Sequence, residues 1–87
     1  MNWNHILELV SQLAKRNALV AMQATDQLYL LVTPEAFEEL RVVLRLHDQE
    51  ISQVNQPGSV VFTTQINFRE TPVQVSTIVD TLMQAEA

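Results

Sequence analysis

Apolar and polar positions along the chain predict three helices and two β-hairpins. The first helix is predicted over residues 2–16, where apolar residues recur at helical spacing. This apolar face comprises Trp3, Ile6, Leu7, Val10, Leu13 and Ala14. Lys15 and Arg16 suit the negative end of the helix dipole, and Asn17 tolerates the left-handed backbone at which helices often stop.

The first hairpin is predicted over residues 18–33. Two short apolar runs flank Thr25 and Asp26, and Asp26 is the only charged residue in this stretch. The second run, residues 28–32, is apolar at successive positions rather than at alternate ones. Such a strand is covered on both faces, so we expect it to lie centrally with helices or a partner chain against it.

The second helix is predicted to begin at the threonine, proline and glutamate of residues 33–35, which form a strong helix start. Its predicted apolar face comprises Phe37, Leu40, Val43 and Leu44. Its end is open to three interpretations. We favour a helix that ends near Leu46, but residues 40–47 also alternate as a strand does, and heptad spacing could continue the helix to Val54.

The second hairpin is predicted from a short edge strand within residues 49–55, a turn at Pro57 and Gly58, and a strand over residues 60–69. The longer strand alternates strictly, which is typical of a half-buried antiparallel strand. Its inward row is Val60, Phe62, Thr64, Ile66 and Phe68, and its outward row is Val61, Thr63, Gln65, Asn67 and Arg69.

A third helix is predicted to begin at Thr71 and Pro72, because Thr33 and Pro34 precede a similarly patterned stretch. Its predicted inward residues are Val75, Ile78, Val79 and Leu82. The sequence therefore predicts one α+β domain over residues 1–87, in the order α-β-β-α-β-β-α, with an antiparallel sheet built from the two hairpins.

Composition adds a prediction about the surface. Apolar residues make up 47% of the 87 residues, whereas charged residues make up only 17%, below the usual quarter of a soluble domain. With so few charges to cover the outside, some apolar or neutral polar surface must face outward. We therefore expect a homo-oligomer.

The charge balance excludes several partners. The formal net charge is −5, and five basic residues cannot supply the basic stripe of a phosphate-tracking nucleic-acid binder. Anionic membrane surfaces are disfavoured for the same reason. No apolar run approaches the roughly 20 residues of a membrane span, and residues 1–8 lack the basic leader of a signal peptide. We expect a cytoplasmic protein.

Candidate chemistry is sparse. Cysteine is absent, His5 and His47 are not at a metal-binding helical spacing, and the single Gly58 cannot form a phosphate-binding loop. No serine lies in a glycine-flanked nucleophile elbow. We therefore predict that the protein is not an enzyme and has no catalytic, cofactor-binding or metal site.

The favoured functional hypothesis is a small non-enzymatic interaction protein that forms a homodimer and binds an unknown protein partner. The candidate surface is the uncharged outward row Val61, Thr63, Gln65 and Asn67. Such a row is either a solvated sheet face or a sheet-to-sheet contact, and the sequence does not decide between them.

Two other hypotheses remain open. The protein could be an acidic inhibitor or nucleic-acid mimic that occupies a basic site on its target. Its contacts would be Glu35, Glu38, Glu39, Asp48 and Glu50, although acid in the first turns of a helix is stabilising in any case. A small-molecule pocket between sheet and helices, as a binding or an enzymatic site, would require convergent polar groups.

Overall fold

The computed structural model describes residues 3–81, apart from the side chains of Trp3 and His5. The helices are α1 (Trp3–Lys15) and α2 (Pro34–Val43), and a 3₁₀ turn covers Asp48–Glu50. The five strands are β1 (Leu19–Ala24), β2 (Leu28–Val32), β3 (Ile51–Gln56), β4 (Ser59–Phe68) and β5 (Thr71–Asp80). This part of the chain is a small α+β fold. The predicted helix start at residue 2 and the inward position of Leu82 lie outside the described residues.

The strands form one sheet in the order β1-β2-β5-β4-β3. Neighbouring strands are antiparallel except β2 and β5, which pair in parallel. The prediction of a purely antiparallel sheet is therefore wrong. The chain leaves β2, passes through α2 and the β3–β4 hairpin, and returns beside β2, so β2 and β5 are joined by the long connection that parallel strands require.

The predicted third helix is also wrong, because residues 71–80 form β5. This strand pairs with β4 along its whole length, from Ser59 opposite Asp80 to Phe68 opposite Thr71. A two-residue turn joins them, with positive φ of 48° at Arg69 and 69° at Glu70, as a type I′ hairpin turn requires.

The physical reason lies in the residues after Pro72. Val73, Val75 and Thr77 are buried and alternate with residues of the other face, and β-branched side chains at period two favour a strand over a helix. The threonine–proline pair at residues 71–72 resembles a helix start but opens a strand, so the comparison with residues 33–34 was misleading.

Other sequence predictions are confirmed. The first helix ends where predicted, and Asn17 takes a positive φ of 55°. The first hairpin pairs antiparallel through β1 and β2. The predicted turn before β4 joins β3 to β4, and Gly58 has the positive φ, 81°, that the third position of a type II turn demands.

The start of α2 also follows the prediction. Thr33 has extended backbone, and its hydroxyl accepts a hydrogen bond from the Ala36 amide at 3.3 Å. Pro34 occupies the first helical position, where its missing N–H is not needed. The first turn then buries Ala36 and Phe37 against the sheet.

The position at which α2 ends decides between the three interpretations of residues 40–54. The helix stops at Val43, slightly before the favoured Leu46, and Arg45 turns the chain with a positive φ of 53°. The strand interpretation of residues 40–47 and the helix continued to Val54 are both wrong. The predicted edge strand within residues 49–55 is confirmed as β3, although the 3₁₀ turn before it was not predicted.

The core lies between one face of the sheet and the two helices. Its buried apolar residues are Ile6, Leu9, Leu13, Ala18, Leu28, Leu30, Val32, Ala36, Phe37, Val73 and Val75. The predicted inward row of β4 is confirmed, because Thr64 is buried and Phe62, Ile66 and Phe68 pack against this cluster. Among the described residues, no helix is long and apolar enough to span a membrane.

The helices cover only one face of β2. Leu28, Leu30 and Val32 are fully buried in the core, whereas Tyr29 and Leu31 are half-buried on the opposite face. Helices therefore cover one of the two faces that the sequence predicts to be covered, and a partner chain on the other face stays a prediction.

Candidate functional site

One face of the sheet carries no helix in the described part of the chain, and we call it the open face. Strand register defines its members, because directly paired residues share a face. They are Ala21, Gln23, Tyr29, Leu31, Ser52, Val54, Gln56, Val61, Thr63, Gln65, Asn67, Pro72, Gln74, Ser76 and Ile78. All of these side chains are uncharged, and the pair Ser59 and Asp80 completes the face at one end, where Asp80 carries its one charge.

Charge is segregated in this fold. Within the five described strands Asp80 is the only charged residue. The other charged residues of the described chain lie on helices, in turns or in connections. The open face is therefore uncharged apart from Asp80 at one end, on a protein whose net charge is −5.

The four candidate residues of β4 lie together on this face. Val61 and Thr63 are half-buried, whereas Gln65 and Asn67 are exposed. The Thr63 and Ser76 hydroxyls are hydrogen-bonded across β4 and β5 at 2.9 Å. Since β4 has β5 on one side and β3 on the other, the row lies inside the sheet rather than at its edge.

The open face also exposes apolar side chains that sequence analysis did not assign to a site. Ile78 is 48% exposed beside Val61, and Val54 is 53% exposed on the other side of Val61. Tyr29 pairs with Gln74 of β5. Sequence analysis missed Ile78 because β5 was predicted as a helix with Ile78 turned inward.

Both edges of the sheet are exposed and uncharged. The edge strands are β1 and β3, and in each of them every residue after the first is exposed. A bulge between Leu19 and Ala21 interrupts the pairing of β1, but β3 pairs without irregularity. Bulges and charges are the usual protection of an edge strand, so β3 is the less protected edge.

The acidic candidate residues are dispersed on the helical side and largely engaged. Glu39 pairs with Arg16 just after α1, and Glu38 pairs with Arg41. The Glu50 carboxylate accepts a hydrogen bond from the His47 backbone amide at 2.8 Å.

The contact between Glu38 and Arg41 shifts the pKa of both groups. The hydrogen bonds from Arg41 hold the pKa of Glu38 below its ordinary value, and Glu38 raises the pKa of Arg41 in turn. Glu38 and Asp48 line the same groove, whereas Glu39 faces α1. The five predicted contacts therefore do not form one acidic patch.

That groove is a cavity of about 530 Å³ between α2 and the helical side of β3, β4 and β5. Its lining residues are Pro34, Phe37, Glu38, Arg41, Asp48, Ile51, Gln53, Phe62, Thr77 and Val79. The rings of Phe37 and Phe62 lie 6.4 Å apart at a 37° tilt. Among the described residues, Thr77 Oγ1 is buried without a hydrogen-bond partner.

The described residues contain no group of three histidine, aspartate or glutamate side chains that could hold a metal ion. In comparisons with models of known protein families and with curated proteins, nothing matches the chain. A function is therefore inferred from the two surfaces that the fold creates, the open face and the groove.

Proposed function

We propose that this protein is a small non-enzymatic interaction protein that forms a homodimer through the open face of its sheet and binds a further protein partner. The observation that carries the proposal is the scarcity of charge across the open face from β1 to β3, where Asp80 at one end is the one charged side chain among the described strands. A charged side chain is costly to remove from water, whereas amides and hydroxyls are accommodated once they are hydrogen-bonded. The interiors of protein interfaces are correspondingly depleted in charge.

The arrangement of side chains supports a self-complementary contact. Two sheets pack face to face at about 10 Å when their inner side chains interdigitate. In a two-fold dimer the same patch faces itself, so apolar Val54 and Ile78 can pack while Gln65 and Gln74 supply paired donors and acceptors. Tyr29 adds an aromatic side chain of the type enriched among interface anchors.

The acidic-mimic hypothesis has weaker support. A mimic presents its carboxylates together toward a basic target, but Glu38 and Glu39 are paired with arginines of the same chain and Glu50 caps a local turn. The modest net charge of −5 also provides little steering.

The dimer part of the proposal is tested by placing a charge on the open face. Gln65→Lys adds a lysine to each side of the two-fold contact, so we expect self-association to weaken at least about tenfold, because the charges repel and must lose water. Sedimentation velocity over a micromolar concentration series measures the change. The substitution is at an exposed site, so the melting of the monomer should shift little.

Asn55→Lys is the matched control. Asn55 is also an exposed strand amide, but its register with Val60 places it on the helical side of the sheet. We expect this variant to associate like the unmodified protein. If Asn55→Lys dissociates while Gln65→Lys associates normally, the copies pair through the β3 edge and not through the open face. An unmodified protein that stays monomeric at high micromolar concentration contradicts the homodimer.

A further inference from the structure

The groove on the helical side of the sheet has the volume and the apolar lining of a ligand site. Its volume of about 530 Å³ lies within the roughly 300–1,000 Å³ typical of small-molecule pockets. Phe37 from α2 and Phe62 from β4 form a tilted aromatic pair in its wall, and Ile51 and Val79 add aliphatic surface. A ring-sized apolar group would find contacts on several sides.

A polar group is buried in the same groove. Thr77 is 2% exposed and lines the cavity, and its hydroxyl has no hydrogen-bond partner in the part of the chain that the structure describes. Buried hydroxyls are normally paired, and an unpaired one calls for an explanation. A ligand with a hydroxyl or carbonyl group would supply the missing partner.

The rim of the groove favours positive charge. Arg41 donates through Nε to Glu38 at 2.9 Å, and its Nη2 contacts the second oxygen of the same carboxylate. The guanidinium is thus already engaged by a carboxylate in a two-pronged contact. Asp48 adds a second carboxylate to the lining and also acts on Arg41 electrostatically. The carboxylates of Glu38 and Asp48 together with the one guanidinium of Arg41 leave a net negative charge at the rim, which repels anions.

We propose that this groove binds a small amphiphilic cation, with an aromatic body packed against the Phe37–Phe62 pair, a hydrogen-bonding group at Thr77 and a positive head near Glu38 and Asp48. The convergent polar groups that a pocket requires are present. The site lies on the helical side of the sheet, so it is independent of the proposed interaction surface. Its failure would leave the open face untouched.

Three probes of similar size separate the elements of this proposal. Tyramine has a phenol and an ammonium group, phenethylamine lacks only the hydroxyl, and 3-(4-hydroxyphenyl)propionate replaces the ammonium with a carboxylate. For molecules this small we expect tyramine to bind with a dissociation constant of about 1 mM. Phenethylamine should bind about three- to tenfold more weakly, and the propionate at least about tenfold more weakly.

Titrations monitored by two-dimensional NMR of the ¹⁵N-labelled protein measure these affinities and locate the probe. Saturable shifts are expected at the amides of Phe37, Gln53 and Phe62, which belong to the groove. The amides of Gln65 and Asn67 on the open face provide the internal control and should not shift.

Two substitutions connect the probes to individual residues. Thr77→Val should weaken tyramine about three- to tenfold while leaving phenethylamine unchanged, a coupling that general damage to the fold would not produce. Asp48→Asn should reduce the preference for tyramine over the propionate about threefold or more. Asp26→Asn removes the same charge in the β1–β2 turn, away from the groove lining, and should leave that preference unchanged.

Three results would overturn the proposal. The first is the absence of saturable groove shifts with tyramine up to tens of millimolar. The second is binding of the propionate as tightly as tyramine. The third is an equal loss of tyramine and phenethylamine in Thr77→Val, which would show that the Thr77 hydroxyl does not contact the probe.

Discussion

Replacing Leu28 with alanine is expected to lower the free energy of unfolding by about 2–5 kcal/mol. Leu28 has 0% exposure and lies on β2 opposite Val73 of β5, so the lost side chain leaves a cavity where the two parallel strands meet. Small domains have a total stability of only about 5–15 kcal/mol. This substitution should therefore remove a large share of the free energy of unfolding.

Urea denaturation followed by circular dichroism measures the effect, and Leu7→Ala is the matched control. Leu7 undergoes the same chemical change in α1 but is 60% exposed, so we expect a change within about 0.5 kcal/mol. Equal losses at the two positions would contradict the placement of the core on one side of the sheet.

The parts of the fold that depend on local pattern were predictable from the sequence. The alternation of residues 60–69 assigned Thr64 to the inside and Gln65 to the outside, because a one-residue slip would exchange the two faces. The glycine turn at Gly58 and the Thr33 cap of α2 are likewise set by neighbouring residues. Each of these features is decided within a few positions of the chain.

The features that depend on distant contacts were not predictable in this way. A threonine–proline pair starts a helix at residue 33 but a strand at residue 71, and the difference lies in what β5 packs against. Strand β5 fits between β2 and β4, where its β-branched residues Val73, Val75 and Thr77 face the core at alternate positions. Strand order is a long-range property that no local signal records.

The same limit explains how much of the candidate site was found. The sequence identified the β4 row that contains Thr63 and Gln65, but the neighbouring strands that extend the open face follow from the strand order. The sequence allowed a pocket between sheet and helices but not the lining of the groove, because the groove joins α2, β3, β4 and β5 and because Thr77 is assigned to a helix. The absence of charge from residues 51–68 was an available signal for the neutral face.

Thr77→Val is expected to raise the free energy of unfolding by about 1–2 kcal/mol, because valine matches threonine in shape and removes a buried hydroxyl that has no described partner. Thr64 provides the matched comparison. It is 3% exposed on the adjacent strand, and its hydroxyl donates to the Glu50 carbonyl at 2.9 Å. Thr64→Val should lower the free energy of unfolding by about 0.5–1.5 kcal/mol or more, since it deletes a made hydrogen bond.

We thus expect the same substitution to change the free energy of unfolding in opposite directions at the two threonines, and urea denaturation of both variants tests this directly. A loss of stability in Thr77→Val as large as that in Thr64→Val would mean that the Thr77 hydroxyl is already satisfied in the folded protein. A gain would mean that the chain carries a threonine where valine gives a more stable fold. Residues that lower stability in this way are typical of binding sites, so a gain in stability accompanied by weaker tyramine binding would identify Thr77 as a ligand contact.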